Sequence, residues 1–223
     1  MKYILFSLLF STGLFAKDFK FNGQDYPPFN FMENGKATGA TTEIVAAMCA
    51  ITKDNCTVEL VPLKRAMSSL ESGEVHGVIS LLKNAERDAF ANFSPTIIKS
   101  DMIYATVNDK ATPGSVAELK GWTLGAVASS SSAKTAAADA KVAGEGAKVV
   151  EESDNDTVVK KLANGRYGEK GAVIINEDVL TFLSKKHAAT NIKKMFVAKS
   201  DDFGIYFSKK TVVKADLDKF SLA

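Results

Sequence analysis

The sequence predicts an α/β protein of two lobes, each a mainly parallel sheet flanked by helices, with two crossing strands between them. Short runs rich in Val, Ile and aromatic residues alternate along the chain with segments of helical periodicity, the pattern of successive strand–helix units. Two apolar runs, 97–107 and 193–198, the latter continued by 203–207, stand where a chain would leave one lobe and return to it. They divide the chain into residues 17–107 with 200–223 as lobe 1 and 108–199 as lobe 2. Hydrophobic residues make up 46% of the 223, enough to fill one large core or two small ones. No internal repeat is evident.

Residues 1–16, MKYILFSLLFSTGLFA, combine one Lys, an apolar run and a small residue before Lys17. This is the pattern of a secretory signal peptide cleaved after about Ala16, and it is too short for a membrane span. No cysteine follows the expected cut, which argues against a lipoprotein. The chain carries 28 basic and 26 acidic residues, and losing Lys2 leaves it nearly neutral. Nothing in that balance calls for nucleic acid or an anionic membrane as partner. His76 and His187 are the only histidines and lie far apart in sequence, so no metal cluster can be assembled by spacing, and no cofactor motif is present.

Asp18–Phe21 opens a first strand, followed by a rigid extended loop, Tyr26-Pro27-Pro28-Phe29, and a turn at Asn34-Gly35-Lys36. By residue type alone, Tyr26 and Phe29 are core aromatics as readily as site residues. Thr41 or Thr42 is expected to cap a helix reaching about Ile51, with Ile44, Val45, Ala47, Met48 and Ile51 as its apolar stripe. Glu43 in its first turn suits the helix dipole. Cys49 and Cys56 lie across that helix end and the next strand, Val58–Val61. They can close a short disulfide loop, worth roughly 2–3 kcal/mol, or remain two buried thiols; an exported chain favours the loop.

Pro62-Leu63-Lys64-Arg65 leads into a helix, Ala66–Glu71, and a strand follows over Val75–Ser80. Asn84 then caps a short helix that carries Arg87. A guanidinium near the carboxyl edge of a sheet is suited to gripping a carboxylate through paired hydrogen bonds, although Arg87 also reads as an ordinary surface arginine. Past the first crossing strand, a helical turn at Val116–Leu119 precedes the strand Trp122–Ala128. Ser129-Ser130-Ser131-Ser132 reads as a strand-to-helix turn rather than a flexible linker, with a helix to about Ala143. Such a turn offers hydroxyls and free N–H groups to an anion. Val149-Val150 is a short strand, Asp154–Asn164 a helix, Ala172–Ile175 a strand and Val179–Lys186 a helix. The return strand comes last, with the chain ending soon after Asp216-Leu217.

The run Gly73…Ser80…Asn84-Ala85-Glu86-Arg87…Phe93-Ser94-Pro95 resembles the first-lobe segment of the family 3 extracellular solute-binding proteins. It is similar to the polar amino-acid binders typified by lysine/arginine/ornithine- and histidine-binding proteins. The resemblance implies the type II periplasmic-binding-protein fold, with Arg87 holding a ligand carboxylate. It places Tyr26 over the ligand and leaves Phe29 in the core. Leu63 and Leu82 then stand where relatives carry an aromatic and a polar residue, beside Ser80 in the turn. Ser131 takes the place of a carboxylate-binding threonine, flanked by Ser130 and Ser132, while Ser129 replaces a glycine. Asn176 stands where an aspartate usually accepts the ligand's α-ammonium. The spacing CAITKDNC is similar to the family's disulfide loop, pairing Cys49 with Cys56.

The implied function is capture of a small carboxylate-bearing solute, an amino acid or a relative, between two lobes in the periplasm. A monomer would deliver it to an inner-membrane ABC permease or a membrane sensor, with no catalysis, cofactor or nucleic acid. The rival on the same scaffold is a cyclohexadienyl dehydratase-like enzyme using Glu177 or Asp178 as general acid. No nucleophile elbow, zincin motif or paired histidine base supports it.

Overall fold

The computed structural model describes residues 16–109 and 112–223. The expected signal peptide therefore lies, Ala16 apart, outside the described residues. Strands β1 (Asp18–Gly23), β2 (Phe31–Glu33) and β3 (Lys36–Thr38) precede helix α1 (Ala40–Thr52), strand β4 (Asn55–Leu60) and helix α2 (Leu63–Ser72). Strand β5 (Gly77–Leu82), helix α3 (Ala85–Asp88), β6 (Ala91–Phe93) and β7 (Ile98–Thr106) follow. A 3-10 turn at Val116–Leu119 leads to β8 (Thr123–Val127), α4 (Ser131–Ala143), β9 (Lys148–Glu152), α5 (Asn155–Ala163), β10 (Gly171–Asn176) and α6 (Glu177–Lys186). Strand β11 (Lys193–Ser208) and helix α7 (Lys214–Leu222) complete the chain.

Hydrogen bonding orders the main sheet β4-β1-β5-β11-β7-β10-β8-β9, with β6 also on β11. The pairs β4–β1–β5 at one end and β10–β8–β9 at the other are parallel, as strand–helix–strand connections require. Between them run the antiparallel β7 and β11, paired from Lys193↔Thr106 to Phe203↔Ile98. These two strands belong to both halves and are the predicted crossings. Their extent differs from the sequence reading, which broke the return at residues 199–202. The run Lys-Ser-Asp-Asp looks like a loop, yet strands at a cleft can expose alternate polar side chains without leaving the ladder. One apolar core gathers Val158, Leu162, Ile175 and Leu183 under β10, and another packs Phe21, Val45 and Phe207 under β1 and β11.

Helix α1 departs from expectation at its start. No side chain caps it, and neither Thr41 nor Thr42 occupies the cap position. Instead Gly39 adopts φ 106°, and the first amides donate to loop carbonyls, Ala40 N to Pro28 O at 3.1 Å and Thr41 N to Phe29 O at 2.8 Å. The Tyr26–Phe29 loop thus replaces the side-chain cap and is fixed by the helix in return. A Cβ at Gly39 would stand 2.7 Å from both of those carbonyl oxygens. Gly39→Ala is expected to cost about 1–3 kcal/mol, read as a lower midpoint in urea; an unchanged midpoint would contradict this account of the loop.

The buried face of α1 also differs, being Thr41, Thr42, Val45, Met48, Cys49 and Thr52. Ile44 and Ile51 are 36% and 62% exposed and border a groove with Ile97 and Phe220. The helix has apolar residues on two sides, and only contact with the sheet decides which is buried. Cys49 and Cys56 form the disulfide across the α1–β4 turn. Helix α7, which the sequence reading lacked, is held there by Lys219 Nζ on Asp54 Oδ2 and Lys17 Nζ on Asp216 Oδ1, both at 2.6 Å.

Asp156 ties α5 to α6. Its carboxylate meets Lys160 Nζ at 2.6 Å, His187 Nε2 at 2.7 Å and Lys186 Nζ at 3.1 Å. The hydrogen bond from Lys160, then those from His187 and Lys186, hold its pKa well below the usual carboxylate value against the opposing effect of burial. A depressed folded-state pKa stabilises the fold above the unfolded-state value, and this contribution fades as pH falls through the folded value. Asp156→Asn should therefore lower the Tm at neutral pH, with a difference from wild type that shrinks below about pH 4. A difference that grew in acid would refute it.

Candidate functional site

The floor of the site is one face of the crossing pair. Side chains alternate along a strand, so Lys199, Asp201 and Phe203 of β11 share a face. The register sets Asp201 beside Ser100 and Phe203 beside Ile98 of β7, and Phe203 also lies opposite Leu82 of β5. Elements from both halves converge on this face. From the first half, the rings of Tyr26, Phe29 and Phe203 are neighbours, with Phe29 stacked 5.3 Å from Tyr26 and 5.4 Å from Phe203. From the second half, Ser131 at the start of α4 accepts a hydrogen bond from Lys199 Nζ at 3.1 Å, and Lys199 also pairs with Asp201 Oδ1 at 3.0 Å. Asp178 in the first turn of α6 accepts from Ser100. A ring contact between Phe31 of β2 and Phe182 of α6, 5.4 Å apart, further joins the two halves.

Arg87 is half-buried at the carboxyl edge of β5. Its Nη1 donates to Leu82 O at 2.8 Å, which anchors the guanidinium next to the Leu82–Phe203 pair. Burial pulls its pKa below the ordinary value, opposed by Tyr206 and Glu86. Arg87 forms no ion pair among the described residues. The helix that carries it is capped as predicted, Asn84 Oδ1 accepting from Glu86 N at 2.8 Å. Tyr206 fixes the same turn, its hydroxyl accepting from Asn84 N at 2.8 Å.

The remaining sequence-predicted residues divide. Tyr26 lies at the floor, its phenol pKa raised by burial first and then by the charges of Asp201 and Asp178, so the hydroxyl stays neutral. Ser131 faces Lys199, and the serine run is a helix start, not a linker. Ser130 is that helix's cap, accepting from Ala133 N at 3.2 Å and donating to Val127 O at 2.5 Å. Ser80 is buried at φ 56° and donates to Asn30 Oδ1, which ties β5 to the Tyr26 loop. Leu82 is half-buried beside Phe203, while Leu63 opens α2 and packs toward Val61, Ala66 and Leu70. Phe29 is buried, as expected of a core aromatic.

Asn176, expected to face the ligand, is engaged within the fold. It caps α6, its Oδ1 accepting from Asp178 N at 3.0 Å and Val179 N at 3.2 Å, while Nδ2 donates to Ser100 Oγ at 2.8 Å. With the side chain buried and both ends engaged, the amide is held as a structural cap. The sequence reading missed Lys199, Ser100 and Asp201. The period-2 spacing of Lys199, Asp201 and Phe203 was the available signal, hidden by the assumption of a loop. Glu177, a candidate for the rival enzyme, instead pairs at the surface with Lys194 Nζ at 2.6 Å.

No group of three or more His, Cys, Asp or Glu side chains placed to hold a metal occurs among the described residues. No described helix is long and apolar enough to cross a membrane. The fold aligns with an ancestral arginine-binding protein bound to arginine, at TM-score 0.77 and 22% identity over 92% of this chain and 89% of that one. A histidine kinase sensor domain with similarity to periplasmic binding proteins aligns at TM-score 0.77 and 17% identity, covering 92% and 87%. The arginine-, lysine-, histidine-binding protein ArtJ from Geobacillus stearothermophilus aligns at TM-score 0.72 and 20% identity, covering 92% and 88%. No curated protein matches by sequence. These structures share the two-lobed periplasmic-binding-protein fold, and the profile of the bacterial extracellular solute-binding proteins, family 3, matches residues 22–218. The chain belongs to that family.

Proposed function

We propose that this protein captures a small carboxylate-bearing solute, an amino acid or a close relative, between lobe 1 (17–107 and 200–223) and lobe 2 (108–199). The observation that carries this reading is the half-buried Arg87 guanidinium, without an ion pair among the described residues, anchored beside the aromatic floor. A guanidinium in that state is stabilised by a carboxylate guest. Ser131 at the start of α4 and Lys199 of β11 add hydroxyl and cationic donors from the facing side. A solute that touches both lobes would favour the closed arrangement by its differential affinity.

The protein acts in the periplasm as a monomer after removal of residues 1–16, and hands its solute to an inner-membrane ABC permease. Its likeness to a sensor domain supports a membrane receptor as the alternative recipient. The role is non-catalytic: Glu177 is occupied by Lys194, and Asp178 is an exposed carboxylate rather than a buried acid. Mass spectrometry of small molecules released from unwashed protein, followed by calorimetry with the compounds found, tests this. A carboxylate that binds with micromolar or better affinity is the expected result. Turnover of prephenate or arogenate to a decarboxylated aromatic product would replace capture by catalysis.

A further inference from the structure

We infer that the β2–β3 hairpin is a latch, in which Phe31 seats on Phe182 of α6 and holds the two lobes together even when no solute lies between them. This rests on the two-lobe capture reading above and adds to it a closing force that the solute does not supply. The first support is where the contact lies. Strands β7 and β11 join the halves through the chain itself, whereas the rings of Phe31 and Phe182, 5.4 Å apart, join them by side chains of other elements. Phe182 also stands four residues after Asp178, so the two share a face of α6, and Asp178 accepts from Ser100 of β7. That face of the helix is therefore engaged at two levels, on the crossing strand and on the hairpin.

The second support is how Phe31 is braced. The hairpin stands off the main sheet, β2 and β3 pairing with each other. Phe31 directly follows the Tyr26–Asn30 turn, which is closed by Tyr26 N on Asn30 O at 2.7 Å and Phe29 N on Tyr26 O at 2.9 Å. Ala40 N at the start of α1 donates to Pro28 O, and Ser80 of β5 donates to Asn30 Oδ1. A pull on the Phe31 ring is thus carried to the body of lobe 1. Phe29 of the same turn shares an apolar cluster with Val179 and Leu183 of α6, so apolar surface continues across the division between the halves. Parting them would expose that surface to water with or without a solute. Phe31 and Phe182 are half-buried and lie at its margin, where a substitution spares the core.

The test is small-angle X-ray scattering on the full mature chain, stripped of solute and checked by mass spectrometry. The wild type should scatter as the closed arrangement, and an expanded wild type overturns the latch without any variant. Phe31→Ala and Phe182→Ala, shown folded by their Tm, should each raise the radius of gyration. The double variant should go no further, because the two rings form one contact; additive shifts, or none, overturn the pairing. Phe31→Leu should keep most of the closure. In protein still carrying its co-purified solute, timed dialysis should release that solute about 2- to 10-fold faster from either alanine variant, the range an aromatic pair supplies. Release at the wild-type rate overturns the latch as a brake on exit. If no solute co-purifies, the capture reading falls, while scattering from the empty protein still decides the latch.

Discussion

Arg87→Ala is expected to abolish ligand-induced thermal stabilisation while leaving the unliganded Tm nearly unchanged. The guanidinium makes one described hydrogen bond within the fold, to Leu82 O, and no ion pair among the described residues. Truncation therefore removes little from the empty protein. In the complex it leaves the ligand carboxylate desolvated and without its partner, and such losses typically run to about 2–5 kcal/mol. That corresponds to a factor of tens to thousands in Kd. Arg87→Lys keeps the charge but not the planar fork, and should recover only part of the affinity. Calorimetry with the solute released from wild-type protein decides the matter. An affinity that survives Arg87→Ala would remove the carboxylate from this position and with it the proposed orientation.

Phe29→Ala should damage both stability and binding. The ring is buried against both Tyr26 and Phe203 and belongs to the core that also contains Val179 and Leu183 of α6. Deleting a buried phenylalanine costs about 3–5 kcal/mol through lost burial and the cavity left behind. Here the cavity would lie directly under Tyr26, freeing the phenol that faces Asp201 and Asp178. Urea unfolding with and without ligand separates the two effects. The midpoint should fall in both, and the ligand-induced increment should fall as well. Phe29→Leu, closer in volume, should recover most of the stability. An unchanged increment in Phe29→Ala would mean that Tyr26 is placed without its neighbour.

How much of the site was legible depended on what kind of fact each residue represents. Asn84 was readable because a helix cap is local: the side chain meets the amide two residues on, and the structure adds Ser130 and Asp154 as caps of the same kind. Arg87 and Ser131 were legible through their place in short strand-to-helix turns and through family likeness. Asn176 illustrates the limit. Its position was identified correctly, but a side chain at a strand-to-helix junction can face a ligand or its own helix, and the choice is made by Ser100, 76 residues away along the chain. Lys199 and Asp201 were hidden for a related reason. Four polar residues in a row resemble a loop until pairing with residues 99–102 makes them a strand.

By itself the sequence determined the alternation of strands and helices, the two crossing segments, the candidate cysteine loop and the arginine at the edge of β5. These follow from periodicity, capping chemistry and turn residues acting over a few positions. Tertiary structure alone decided which face of α1 is buried, that the loop at Phe29 caps it, and that Asn176 serves the helix. It also decided that Asp201 and Ser100 share a floor with Ser131. Each of those outcomes depends on register between strands distant in sequence, and register is set when whole faces are buried together rather than by any neighbour along the chain.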